Sequence, residues 1–154
     1  MICIQASDIM HPRLSLHAKE TVESIIKKLM CSYPALPVVD ENGEVIGIVS
    51  EYDVFHAIQQ GRTVHEFSAE SIMSCGHAEH GVCDRPVTVF PSTRIEDIVD
   101  MIFATKFTIL PVIDKKKLVG IISRKNVIYA MAERGFWPEI YFQKRTPQEG
   151  AYQG

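Results

Sequence analysis

An internal repeat constrains what this chain can fold into more than any other feature. Residues 109–114 repeat the pattern of residues 35–40, and residues 118–127 repeat the pattern of residues 45–54. Two copies are too few for a solenoid, which needs at least about three stacked units. We therefore expect the two copies to bury their apolar faces against each other, as two similar halves of one structure.

Each copy contains a hairpin that is followed by a helix start. In the first copy Asn42 and Gly43 separate two β-branched runs. An Asn-Gly pair between such runs predicts a hairpin, because both residues tolerate the positive φ angles of a tight turn. After the second run comes Ser50-Glu51-Tyr52-Asp53, and then the apolar positions of a helix.

An amphipathic helix precedes each hairpin. Short alternating strands at residues 14–17 and 87–90 come before these helices, and Thr93 with Glu96 predicts a capping box at the second one. Each copy is thus predicted to fold as β-α-β-β-α. The apolar residues recur at helical spacing; they are Val22, Ile25, Ile26, Leu29 and Met30, and Ile95, Ile98, Val99, Ile102 and Phe103.

The repeat divides the chain into three parts. We predict a first motif over residues 1–66, a second motif over residues 67–135 with an inserted loop at 74–86, and an aromatic and polar tail over 136–154. The inserted loop has no counterpart in the first copy.

Length, charge and cysteine usage narrow the class of protein. The 154 residues carry a net charge of −3 without a clustered basic stripe, which disfavours direct nucleic-acid binding. No apolar run approaches the ~20 residues that a membrane-spanning helix needs, and no signal peptide is visible. Four scattered cysteines do not resemble a secreted disulfide framework, so the sequence predicts a cytoplasmic protein.

The pattern Leu-Pro-Val-Val-Asp, followed by Val-Ile-Gly-Ile-Val-Ser-x-x-Asp, resembles the CBS motif. Two copies in tandem resemble a CBS pair, and the resemblance covers residues 7 to about 134. It implies an α+β fold in which two β-α-β-β-α motifs pack sheet to sheet about a pseudo-two-fold axis. It also implies ligands such as AMP, ADP, ATP or S-adenosylmethionine in the clefts between the motifs, a disc-like dimer, and a regulatory rather than a catalytic role.

The junction of Ser50 and Asp53 has two interpretations. Ser50 fits a helix N-cap with Asp53 at the third helical position, which explains both residues without a ligand. The resemblance instead implies that Asp53 accepts hydrogen bonds from both hydroxyls of a ribose, with Ser50 beside it. A carboxylate is well suited to such a bidentate contact.

The second junction departs from the CBS pattern. Asn126 stands where the ribose-binding carboxylate is expected, beside Ser123. An amide has one acceptor oxygen and a donor, so it holds a diol less well, and we predict that the Asp53 site is the tighter one. Arg124 and Lys125 either contact phosphates or are solvated cations at a helix start.

The opening segments of the motifs complete the implied sites. The resemblance implies that Ile9 and Met10 wrap the base at the Ser123 site, and that Ile72 and Met73 do so at the Ser50 site. The same apolar residues also fit an ordinary core.

The inserted loop allows a metal hypothesis. Cys75, His77, His80 and Cys83 are N and S ligands of the kind that zinc accepts, but their spacing is not one of the usual zinc patterns. A metal-free loop is the alternative that we favour. No catalytic motif is present, so we predict no enzyme activity.

Three functions compete at this point. The first is a regulatory module that binds adenine nucleotide, needs no cofactor, forms a homodimer and signals to an unidentified partner such as an enzyme or transporter. The second is a structural or interaction module that has lost its ligand. The third is a metal- or redox-responsive switch that uses residues 75–83.

Overall fold

Two three-stranded sheets form the framework of the described part of the chain. The computed structural model describes residues 3–31, 33–61, 63–76 and 85–133. Its elements, in chain order, are α1 (Ala6–Ile9), β1 (His11–Pro12), β2 (Leu16–His17), α2 (Val22–Cys31), β3 (Ala35–Val39), β4 (Val45–Ser50), α3 (Glu51–Gln59), a 3₁₀ turn (Val64–Glu66), α4 (Ala69–Ile72), α5 (Ile95–Thr105), β5 (Ile109–Asp114), β6 (Lys117–Ser123) and α6 (Arg124–Glu133).

The two hairpins form where the sequence predicts them. Strands β3 and β4 pair antiparallel, and so do β5 and β6. The first turn uses the left-handed conformation of Gly43, with φ of +78°, and the Asp40 carboxylate accepts the Asn42 amide at 2.8 Å. These local interactions stabilise the turn, because Asp40 and Gly43 are residue types that favour this geometry on their own.

The opening segment of each motif pairs with a strand of the other motif. Strand β1, from the start of the chain, pairs antiparallel with β6. In the same way Ser74, which opens the second motif, pairs with Ile48 in β4. The sheets therefore have the orders β2-β3-β4 and β1-β6-β5.

Each hydrophobic core likewise contains side chains from the opening segment of the other motif. Phe67, Ala69 and Ile72 pack into the core of the first motif, and Ile4 and Ile9 pack into that of the second. The predicted boundary between residues 66 and 67 follows chain order and stays a prediction, but the packing of side chains crosses it.

The two sheets meet face to face. Ile109 and Ile121, which belong to the second sheet, are fully buried in the core that the first sheet covers. The predicted α+β fold, with two β-α-β-β-α motifs packed sheet to sheet, is confirmed. Burial of apolar side chains between the sheets is the main force that joins the halves.

Three local predictions need correction. Residues 14–17 shorten to the two-residue strand β2, and residues 87–90 reduce to a single bridge between Val89 and Val112. The predicted capping box at Thr93 is wrong, because the Thr93 hydroxyl accepts the Phe90 amide at 2.9 Å and the N-cap is Arg94.

The predicted helix faces are only partly buried. Val22, Ile25 and Leu29 lie in the core, whereas Met30 is 81% exposed. The faces of α2 and α5 thus extend beyond the core to the surface, where Ile26, Met30 and Phe103 are exposed.

Among the described residues, no helix is both long and apolar enough to cross a bilayer. The aromatic and polar tail predicted at 136–154 lies outside the described residues, as does most of the inserted loop.

Candidate functional site

The Ser50 junction is a complete helix cap. Ser50, the last residue of β4, has extended φ and ψ of −111° and 170°, and its hydroxyl accepts the Asp53 amide at 3.3 Å. In return the Ser50 amide donates to Oδ2 of Asp53 at 2.8 Å. The capping interpretation is therefore correct as a description of the local structure, and it holds Asp53 in one position.

Asp53 is also bonded to the opening segment of the second motif. Its side chain is 5% exposed, and Oδ2 accepts the hydroxyls of Ser50 at 3.0 Å and of Ser74 at 3.1 Å. Ser74 was not among the residues that the sequence singled out. The available signal was the repeat: Ser74 follows Met73 as His11 follows Met10, so the two copies differ at this position.

The second junction repeats the same cap with an amide. The Ser123 amide donates to Oδ1 of Asn126 at 2.8 Å, and the Ser123 hydroxyl accepts the Asn126 amide at 3.3 Å. Asn126 is partly exposed, whereas Asp53 is buried. The two caps share their backbone geometry and differ in charge and access.

A cleft of about 570 Å³ opens at the second junction. Ile9 and Met10 line it together with Ser123 and Asn126, and their role in ligand binding stays a prediction. Further lining residues that the sequence did not indicate are His11, Tyr33 and Tyr129. Because β1 crosses to the second sheet, one side of this cleft belongs to the opening segment and the other to α6.

An adjoining cleft of about 470 Å³ shares Tyr33, Ser123 and Lys125 with the first. Arg124 and Thr108 lie on its wall. The two clefts thus adjoin at these shared residues. Met10 lies on the first cleft with Asp8 and Glu133, and Arg124 lies on the second with Glu51.

Two glycines allow the opening segments to approach the sheets. A Cβ on Gly47 would lie 2.4 Å from Sδ of Met73, and a Cβ on Gly120 would lie 2.6 Å from Sδ of Met10. The structure therefore places Met73 and Met10 at equivalent positions against the two sheets. Ile72 and Ile9, each 8% exposed, belong to the cores as well.

The charges at the two helix starts are opposite. The first turn of α3 carries Glu51 and Asp53, whereas that of α6 carries no acidic residue and begins with Arg124 and Lys125. A helix N-terminus favours anions through its free amides and its dipole. The start of α6 is thus more favourable for a phosphate than the start of α3.

Tyr33 joins the two clefts to the opening segment. Its ring meets that of His11 edge to face, with centroids 6.4 Å apart. Burial raises the pKa of the Tyr33 hydroxyl, so the side chain stays neutral and offers the clefts an aromatic face with a hydroxyl donor.

The inserted loop is described only up to Gly76 and from Arg85 onward. His77, His80 and Cys83 of the zinc hypothesis lie outside the described residues. Cys75 is buried and disulfide-bonded, so in this state its sulfur is not a thiolate that binds zinc. Cys3 and Cys31 are free and exposed. No group of three or more metal-ligating side chains occurs within the described ranges.

Fold and site together define a paired module with two equivalent helix starts, each facing a segment of the opposite motif. The CBS domain family model matches residues 6–60 and 80–133, and the chain belongs to this family as a tandem CBS pair.

Known proteins agree with this assignment. The chain is 28% identical over 149 residues to the chloroplastic CBS domain-containing protein CBSX2 of Arabidopsis thaliana, covering 80% of this chain and 61% of that protein. It is 34% identical over 134 residues to the uncharacterized protein MJ0188 of Methanocaldococcus jannaschii, covering 85% of this chain and 45% of that protein. The chain thus spans about half to three fifths of the length of these relatives.

Solved structures show the same fold. The crystal structure of CBSX2 in complex with AMP matches with a TM-score of 0.70 and 26% identity over 85% of this chain and 98% of that one. The CBS pair of MJ0100, solved with 5′-methylthioadenosine and S-adenosyl-L-methionine, matches with a TM-score of 0.69 and 21% identity over 86% of this chain and 99% of that one.

Proposed function

We propose that the protein is a regulatory module that binds adenosine nucleotides of the AMP, ADP and ATP type between its two CBS motifs. The observation that carries this proposal is the pair of adjoining clefts at Ser123, with Met10 and Asn126 on the wall of one and Arg124 on the wall of the other. A nucleotide has the same order of parts: an apolar base, a polar ribose and an anionic phosphate. The AMP complex of CBSX2 supports the choice of ligand.

Each part of the ligand has a proposed set of partners. At the second site the base lies against Ile9 and Met10, the ribose against Asn126 and Ser123, and the phosphates toward Arg124 and Lys125. At the first site the ribose binds Asp53 beside Ser50, and the base lies near Ile72 and Met73. No required cofactor and no reaction are part of this proposal, because no catalytic family accompanies the CBS match.

A ligand screen by thermal shift tests the proposal. AMP, ADP and ATP are expected to raise the melting temperature, since a ligand that binds only the folded state stabilises it. Arg124→Ala should reduce the shift by ATP more than the shift by AMP, because ATP carries more phosphate charge. Lys27→Ala, an exposed cation on α2, is the matched control. No shift with any of these ligands, or with S-adenosylmethionine, would favour the ligand-free interaction module instead.

A redox-responsive module is the second candidate, and the disulfide at Cys75 favours it. Reduction by a dithiol breaks the S–S bond: the disulfide takes up two electrons and two protons and becomes two thiols, while the dithiol becomes a disulfide. The affinity for AMP, measured with and without the dithiol, should then differ in the native protein but not in Cys75→Ser. Cys31→Ser, which removes a free exposed thiol, is the control.

The exposed apolar faces support a homodimer. Phe55 is 69% exposed beside a groove of about 340 Å³ between α2 and α3, and Ile128 on α6 is 66% exposed at the equivalent position of the second motif. Patches of this kind mark interfaces, and two-fold dimers are the commonest closed assembly. A dimer mass by light scattering at micromolar concentration, reduced to a monomer mass by Phe55→Glu, is the expected result. A monomer mass for the native protein would contradict it.

The signal is proposed to reach a partner, such as an enzyme or a transporter, through a change in these outer faces. The readout of this part of the proposal is co-purification of a partner with the native protein, measured with and without AMP. The partner should be retained in one of the two conditions and lost in the other.

A further inference from the structure

The bonds to the Asp53 carboxylate show that one of its oxygens is already occupied. Oδ2 accepts three donors: the Ser50 amide, the Ser50 hydroxyl and the Ser74 hydroxyl. Among the described residues, every hydrogen bond to this carboxylate ends on Oδ2, and Oδ1 accepts none. A carboxylate oxygen has about two lone-pair sites, so Oδ2 has no capacity left for a ligand hydroxyl, and a ligand that uses both oxygens must replace a donor there.

Of the three donors, only Ser74 is foreign to the helix cap. The amide and the hydroxyl of Ser50 belong to the turn that starts α3, and they stay with Asp53 as long as the helix exists. Ser74 comes from the segment between the motifs, 21 residues further along the chain. It is therefore the donor that a ligand is able to replace without unfolding the helix start.

The Ser74 hydroxyl is aimed at Asp53 by its own surroundings. It accepts the Gly76 amide at 3.2 Å, and Ser74 exchanges both backbone hydrogen bonds with Ile48 at 2.8 Å. A hydroxyl has one proton to donate, and here it points to the carboxylate. Thr108 in turn donates its amide and its hydroxyl to the Gly76 carbonyl at 3.2 and 3.1 Å.

The second site lacks this arrangement. Repeat symmetry places His11 where the first site has Ser74, because His11 pairs with Ile121 as Ser74 pairs with Ile48. The His11 ring packs on Tyr33, and among the described residues the Asn126 oxygen accepts only the Ser123 amide. The occupied acceptor is thus a property of the first site.

We propose that Ser74 is an internal competitor for Oδ2 of the Asp53 carboxylate, so that a ribose contacts both carboxylate oxygens only when the Ser74 hydroxyl leaves. This inference rests on the proposed function, since it takes Asp53 as the ribose acceptor. Ser74 thereby lowers the affinity of the first site and sets the ligand concentration at which the module responds.

Calorimetric titration with AMP tests the inference. Ser74→Ala is expected to tighten the binding event that depends on Asp53 by about three- to tenfold, the effect of one hydrogen bond to a charged group that no longer has to be broken. Ser74→Thr, which keeps the hydroxyl, should bind AMP like the native protein. Ser7→Ala, an exposed serine of α1, is the control for serine removal as such.

A double-mutant cycle shows whether the effect passes through Asp53. The gain from Ser74→Ala should vanish in an Asp53→Ala background. Equal or weaker AMP binding by Ser74→Ala, or a gain that persists without Asp53, would overturn the inference while the native protein still binds AMP. No AMP binding by the native protein or by Ser74→Ala would overturn the proposed function, and the inference with it.

If Ser74→Ala folds poorly, Ser74→Gly and the Ser74→Thr result decide the matter. Native-like binding by Ser74→Thr together with tighter binding by Ser74→Gly supports displacement, because Thr keeps the competing hydroxyl and Gly removes it. Equal affinities of both with the native protein would contradict it.

Discussion

The two helix starts at Ser50 and Ser123 share one backbone geometry and differ in what they offer a ligand. At the first, a buried carboxylate accepts three donors, one of them from the other motif. At the second, among the described residues, the amide oxygen of a partly exposed Asn accepts one, and Arg124 and Lys125 line the clefts beside it. A cap needs an acceptor at the third helical position, and both Asp and Asn supply one. The charge difference between them changes what each site offers a ligand.

The comparison predicts unequal loss of binding when each acceptor is removed. Asp53→Ala should weaken the tighter AMP-binding event by about a hundredfold or more, because two hydrogen bonds to a charged group are lost at ~1.5–3 kcal/mol each. Asn126→Ala should change AMP affinity by less than about threefold. Titration calorimetry of both variants measures this. Similar losses from both would show that the assignment of ribose to Asp53 is wrong.

The glycines extend the comparison to stability. Gly120→Ala brings a Cβ to 2.6 Å from Sδ of Met10 and 3.0 Å from the His11 carbonyl, whereas Gly47→Ala meets only the side chain of Met73. A backbone atom paired in a sheet yields less than a flexible side chain. We expect losses in the free energy of unfolding of about 2–3 kcal/mol for Gly120→Ala and about 1–2 kcal/mol for Gly47→Ala.

Urea denaturation of the two glycine variants is the measurement. A larger loss in the free energy of unfolding for Gly47→Ala than for Gly120→Ala would mean that the contact with Met73 is more rigid than the contact with Met10 and His11.

A titratable carboxylate, that of Glu20, lies just before α2 and has no counterpart at the equivalent place before α5. We expect this difference to have a smaller effect on stability than the glycine substitutions. Burial by itself raises the pKa of Glu20, but hydrogen bonds from Lys28, Ser24 and the His17 amide outweigh it and lower the pKa below its ordinary 4.5. The folded state thus favours the carboxylate. Its stabilising contribution is present above the unfolded pKa and is lost as the pH falls through the folded pKa.

Glu20→Gln should therefore flatten the dependence of stability on pH below about 4.5. Thr93 holds the equivalent place in the second motif, so no similar loss is expected there. Melting temperatures of the native protein and of Glu20→Gln, measured from about pH 6 to about pH 3, test this. Parallel curves for the two proteins would contradict it.

The sequence predicted those features that local chemistry determines. The Asn42-Gly43 turn and the Ser50–Asp53 cap involve residues at most three positions apart, whose preferences act without the rest of the fold. The association of Met10 with the Ser123 junction and of Met73 with the Ser50 junction was implied by the CBS resemblance, and their role in binding stays a prediction. The cap at Thr93 failed because its hydroxyl had a nearer amide, that of Phe90.

Contacts across the chain could not be read from local patterns. Ser74 meets Asp53 because its segment joins the sheet of the other motif, and His11 of β1, which pairs with β6, meets Tyr33. Both depend on how the halves pack. A closer comparison of the two copies, position by position, would have singled out Ser74 against His11 as a place where they differ.

A reciprocal exchange of the two acceptors tests the central claim most directly. Asn126 shows that an amide maintains the cap, so Asp53→Asn and Asn126→Asp change the charge and leave the helix starts intact. Titration calorimetry with AMP should show the Asp53-dependent event weakened about tenfold in the first variant and the other event tightened about tenfold in the second. Unchanged affinities in both variants, or a shift in the same direction in both, would contradict the claim that the carboxylate makes the two sites unequal.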